Sequence, residues 1–139
     1  MNDNKYIYHN SLQLAHLLGK KWTIPLMELF LSSKYAELHF NYIQGRVPGI
    51  TAHNLSNELE DLKVAGLIEK HECGSGCPVY TITRTGLAFQ GVIRSIKDLG
   101  INYYGIDPSC RSKLCIDCTH FKEHACAAMA IRMNTQQLK

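Results

Sequence analysis

The sequence predicts a mainly α-helical fold with one small β-hairpin, arranged as a winged helix-turn-helix, and three observations predict it. The first is a leucine stripe. Leu55, Leu59 and Leu62 recur at i, i+4 and i+7, which places three apolar side chains on one face of a helix. The second is the break that precedes it. Gly45 and Val47-Pro48-Gly49 separate this helix from a shorter one marked by Phe40 and Ile43, and Pro48 cannot continue a helix interior. The third lies downstream, where two strand-like runs, residues 67–71 and 79–83, flank the Gly-rich turn Cys73-Gly74-Ser75-Gly76-Cys77-Pro78. Helix, turn, helix, hairpin is the order of a winged helix-turn-helix.

The other elements follow in chain order. Residues 11–18 and 23–31 read as two helices, with Ser11 placed to cap the first and Pro25 in the first turn of the second, where a missing N–H costs little. Trp22 is expected in the core at their junction. Residues 34–40 are predicted to form a short strand beside the hairpin. Thr51 stands at the N-cap of the leucine-striped helix, and Gly66 stops it where a left-handed residue is needed. A further helix opens at Thr83 or Thr85 and runs to about Leu99, with Phe89, Val92, Ile93, Ile96 and Leu99 on one side. That is more apolar surface than a terminal helix on a small monomer needs, so it is read as a dimer interface.

The front of the striped helix is polar. His53, Asn54, Ser56 and Asn57 are small or hydrogen-bonding side chains near its N-terminus, as expected of a helix whose back is in a core and whose front reads base edges in a major groove. Together with Thr51 they are the candidates for reading double-stranded DNA, and His53 is included for its position alone. Residues 40–84 carry four Lys or Arg against five Asp or Glu, a net of −1, which is low for a segment that meets phosphates. Arg46, Lys70, Arg84 and the pair Lys20-Lys21 are the candidate phosphate contacts. Binding is therefore expected to depend on a dimer and a particular site.

Four blocks of this sequence resemble the HxlR-type branch of the MarR-like winged-helix transcription regulators. Gly19-Lys20-Lys21-Trp22 is close to the family's G-G-K-W, and Phe40-Asn41-Tyr42-Ile43 with Val47-Pro48-Gly49-Ile50 is similar to its F-x-E-L…L-P-G-I. Leu55, Leu59, Leu62 and Gly66-Leu67-Ile68 match its leucine helix, and Pro78-Val79-Tyr80-Thr81-Ile82-Thr83 with Gly86 is similar to its P-x-V-x-Y-x-L-T-x-x-G. The blocks occur in the family's order over about residues 10 to 100. The resemblance implies a homodimeric DNA-binding regulator, with Thr51 to Gly66 as recognition helix and the hairpin as wing. Two departures stand out. A redox-active cysteine is frequent near the family's N-terminus, whereas this chain reads Tyr6-Ile7-Tyr8-His9, and this chain continues well past the family's usual end.

That continuation holds Cys110, Cys115, Cys118 and Cys126, spaced C-x4-C-x2-C-x7-C. Close thiolates repel each other unless a cation or oxidation neutralises them, so the cluster is read as chemistry rather than packing. An iron–sulfur cluster, [4Fe–4S] or [2Fe–2S], is the first reading, because C-x4-C-x2-C matches the first three ligands of plant-type ferredoxins, whose fourth ligand lies much further on. Structural zinc is the second, with His120 and His124 at hand, and a metal-free thiol switch is the third. Cys73 and Cys77 flank the hairpin turn and form a candidate redox pair.

At 139 residues, the chain is expected to hold a winged-helix and dimerisation domain at 1–100 and a cysteine-rich segment at 101–139. With 45% hydrophobic and 19% charged residues it can bury a core. No apolar run approaches the ~20 residues of a spanning helix, and the first residues carry no signal-peptide pattern, so a cytoplasmic protein is expected. No phosphate loop, acid pair or His–Cys arrangement of catalytic spacing occurs, which argues against an enzyme and against a small-molecule substrate. The functional expectation is a dimeric DNA-binding regulator that senses redox state, oxygen or iron through the C-terminal cysteines. The alternative is a DNA- or protein-binding module whose tail is held by zinc.

Overall fold

The computed structural model describes residues 11–34, 36–72, 74 and 78–118. Among these, five α-helices and a three-stranded sheet form a winged helix. The chain divides into two compact units between Gln90 and Gly91, inside the last helix.

The first unit begins with α1 (Ser11–Leu18) and α2 (Thr23–Ser32), and α2 is buried along nearly its whole length because seven of its residues are apolar. β1 (Leu38–His39) is shorter than the strand expected over 34–40. Phe40 starts α3 (Phe40–Arg46) instead, so only two residues remain to pair with the wing. α4 (Ala52–Val64) follows, then β2 (Ile68–Glu72) and β3 (Pro78–Ile82), each within a residue of its expected bounds. The strand order is β1-β3-β2, all antiparallel, with Leu38 opposite Tyr80 and Lys70 opposite Tyr80 from the other side.

Local chemistry sets the ends of α4. The Thr51 hydroxyl accepts the Asn54 N–H at 3.1 Å, the capping bond expected from the sequence. At the other end Gly66 adopts φ 79°, its N–H reaching the Lys63 carbonyl (2.9 Å) while that of Leu67 reaches Leu62 (3.0 Å). This pair of bonds is a Schellman stop. Leu55, Leu59 and Leu62 are all buried, as are Ile43, Ile68 and Val79.

α5 (Arg84–Tyr103) begins at a tight junction. The Thr83 hydroxyl donates to the Gly66 carbonyl (2.6 Å) and accepts the Gly86 N–H (3.0 Å). The helix runs four residues beyond its expected end at Leu99, since Gly100 lies inside it without stopping it. Its apolar residues also split. Phe89 and Ile93 are buried, whereas Val92, Ile96 and Leu99 are exposed.

In the second unit, α5 gives way after Tyr103 to Gly105 at φ 72°, and the chain then turns back along the helix. Lys97 donates to the Lys113 carbonyl at 2.7 Å, and Arg111 donates to Asp98 at 2.8 Å. Two short 3₁₀ turns, Pro108–Arg111 and Cys115–Asp117, carry Cys110 and Cys115, Cys118 caps the second, and Ile116 within that second turn is buried.

Candidate nucleic-acid interface

α4 presents two faces. At about 3.6 residues per turn, the stripe of Leu55, Leu59 and Leu62 faces inward, and His53 and Asn57 fall roughly opposite it. His53, Asn54, Ser56 and Asn57 are all exposed, as is Thr51 at the cap. Asn57 Nδ2 lies 3.3 Å from His53 Nε2, so the two outermost side chains form a pair. Lys70 on β2 and Arg84 at the start of α5 are exposed, and Arg46 at the end of α3 is half-buried. The structure therefore leaves the candidate base-reading residues on one open helix face.

The charge problem raised by the sequence has a structural answer. Glu58 and Asp61 turn to Lys20, which lies 3.1 Å from Glu58 Oε1 and also donates to Asp61. Glu60 is held by Lys63 one turn on, at 3.5 Å. Every acid of α4 thus faces a lysine, and the negative charge that looked unfavourable for phosphate binding is largely compensated. The same geometry corrects one expectation. Lys20 was a candidate phosphate contact, but its ammonium is engaged with α4, an arrangement set by residues 38 and 41 positions away that no local pattern reveals. Lys21 sits over the Trp22 ring at 4.6 Å, and Trp22 is half-buried at the start of α2 rather than in the core.

Glu58 Oε2 is buried and has no hydrogen-bond partner among the described residues, while Oε1 faces Lys20. Burial works against the Lys20 charge, but the Asp61 and Glu58 carboxylates outweigh it and raise its pKa above 10.5. Burial, with Glu60 and Glu72 nearby, also raises the Tyr80 phenol above 10.0. Both raised values act in one direction. The folded state holds these protons more tightly than the unfolded chain, so the stability they contribute is complete below pH 10.0 and falls as pH rises through the raised values. Urea melts at pH 8, 10 and 11 are expected to show falling stability, with Lys20→Met losing the lysine's share of that slope. A flat profile would remove the ion triad as a stabilising element.

A family model described as HxlR-like helix-turn-helix matches residues 17–107, well over half of the chain. The chain belongs to that family. It is accordingly a transcriptional regulator of the HxlR type, a family of DNA-binding proteins. No match was found among curated proteins. Solved structures similar to this HxlR-like regulator include the reduced form of the transcriptional regulator YodB from B. subtilis (TM-score 0.61, 21% identity, covering 70% of this chain and 95% of that one). A possible HxlR family transcriptional factor from Thermoplasma volcanium gives a TM-score of 0.52 at 29% identity, covering 68% and 88%. The redox regulator HypR in its reduced form gives 0.55 at 19%, covering 75% and 100%.

The cysteines are distributed unevenly over the described residues. Cys110, Cys115 and Cys118 are half-buried thiols, not bridged to one another. Among the described residues, no group of three or more His, Cys, Asp or Glu side chains is placed to hold a metal ion. Cys126, His120 and His124, which the metal readings draw on, lie outside the described residues, as do Cys73 and Cys77. No helix among the described residues is long and apolar enough to cross a membrane.

Proposed function

We propose that this HxlR-like protein is a dimeric, redox-responsive DNA-binding regulator. In this reading α4 enters the major groove of double-stranded DNA, the wing and Arg84 meet the backbone, and the cysteine segment carries the signal. The observation that supports it is α4 itself, capped at Thr51, anchored by three buried leucines and open along His53, Asn54, Ser56 and Asn57. Arg46, Lys70 and Arg84 are the phosphate contacts.

The partner in the dimer is a second copy of the chain. Val92, Ile96, Leu99 and Tyr103 repeat at four, three and four residues along α5 and are between 36% and 78% exposed, a continuous apolar stripe of the kind two antiparallel helices cover. The cysteine segment is tied to this same half of α5 through Lys97 and Arg111. A chemical change at the cysteines therefore acts on the helix that would set the spacing of the two recognition helices, and half-sites lie about 34 Å apart.

Thiol chemistry is favoured because two similar structures, those of the regulators YodB and HypR, are of reduced forms. Two thiols lose two protons and two electrons to a two-electron oxidant such as a peroxide, and one S–S bond forms. An iron–sulfur cluster or zinc would draw on Cys110, Cys115, Cys118 and Cys126 together, and metal analysis of protein purified without oxygen tests that chemistry directly. We expect reduced and peroxide-treated protein to differ about tenfold in affinity for a DNA site selected from a random duplex pool, within the usual range of allosteric coupling. Cys110→Ser/Cys115→Ser/Cys118→Ser protein is expected to show no difference. A triple variant that still responds would overturn the sensory role, and a protein that enriches no site would overturn the DNA-reading one.

A further inference from the structure

We infer that His53 is a specificity-determining positioning residue, whose ring holds the Asn57 amide in the orientation that reads adenine in the major groove. The inference rests on the proposed DNA-reading role of α4 and assigns the chemistry at the centre of its open face.

Residues four apart on a helix lie one above the other, and these two lie roughly opposite the leucine stripe, where a helix seated in a groove comes nearest the base edges. The 3.3 Å contact joins Asn57 Nδ2 to His53 Nε2. With Nδ2 as the donor the ring nitrogen accepts, which corresponds to the neutral tautomer with its proton on Nδ1. The bond uses one of the two amide N–H groups. The second N–H and Oδ1 remain, side by side, and they are the donor and acceptor that adenine requires: N–H to N7 and Oδ1 from the N6 amino group.

The buttress matters because an unsupported amide can turn over, exchanging donor and acceptor. With the ring proton on Nδ1, the turned orientation sets Oδ1 against the Nε2 lone pair, and keeping the contact would require the proton to move to Nε2. The other polar groups nearby do not compete for the amide in the described structure. The Asn54 N–H is spent on Thr51, and Glu60 and Lys63 pair with each other one turn further on.

The test is selection from a random-sequence duplex DNA pool by the full-length protein and by Asn57→Ala, His53→Ala and His53→Gln. The parent is expected to prefer adenine by about tenfold at one position of each half-site. Asn57→Ala and His53→Ala should both lose that preference while keeping the rest of the site. His53→Gln, whose Oε1 can accept the same N–H, should restore it. Thermal melts of the His53 variants should match the parent, because the side chain is exposed. A His53→Ala protein that keeps the adenine preference would overturn the inference, as would a guanine at the position Asn57→Ala relaxes. A parent protein that enriches no sequence at all would instead overturn the DNA-reading role, and this inference with it.

Discussion

Replacing Gly86 by alanine is expected to destabilise the winged helix by about 3 kcal/mol or more, a large part of what a domain of this size has. A Cβ at this position would lie 2.2 Å from the Leu67 carbonyl oxygen and 2.6 Å from Ile82 Cγ1. The Ile82 side chain has somewhere to go, but the Leu67 carbonyl does not. It accepts the Thr83 N–H at 3.1 Å, while the N–H of the same residue is bound to Leu62 at 3.0 Å in the stop of α4. Thr83 in turn binds Gly66 and Gly86, so the end of α4 and the start of α5 share one knot of hydrogen bonds. Relieving the clash means breaking that knot. Urea denaturation of Gly86→Ala against the parent measures the loss, and a difference below about 0.5 kcal/mol would show that the junction can open at little cost.

Leu59→Ala is the second large effect, at about 3 kcal/mol. Leu59 is 1% exposed in the middle of α4, with Leu55 and Leu62 buried on either side. Truncation there loses the transfer free energy of the removed carbons and leaves a cavity, since the neighbouring leucines are fixed by the helix that carries them. The informative comparison is Asn57→Ala, two residues away on the opposite face, which should leave stability within about 0.5 kcal/mol of the parent. Equal losses from the two substitutions would mean that α4 is not oriented as described.

Much of this architecture was legible along the chain. The i, i+4, i+7 leucines of α4, the Thr51 cap, the Gly66 stop and the Gly-rich hairpin turn each depend on residues a few positions apart, so a linear reading finds them. The exposed face with His53, Asn54, Ser56 and Asn57 follows from the same periodicity. Other features resisted. β1 kept only two residues because Phe40 was claimed by α3, a competition between two weak local preferences that pairing with β3 decides. The stop of α5 moved from Leu99 to Tyr103 because Gly100 is tolerated inside a helix when a side chain, here Ile106, packs close against it. Phe89 and Ile93 parted from Val92, Ile96 and Leu99 because burial depends on which neighbours arrive, not on the stripe alone.

By itself, then, the chain's order of residues determined the helix-turn-helix, the wing and the exposed polar face of α4, all of which arise from contacts within a turn or a hairpin. Only the tertiary structure decided that Lys20 neutralises Glu58 and Asp61, that Gly86 lies against the Leu67 carbonyl, and that the cysteine segment is tied back to α5. Each of those joins groups between 13 and 41 residues apart, and the energy of such a pair depends on a distance that exists only once the chain has folded.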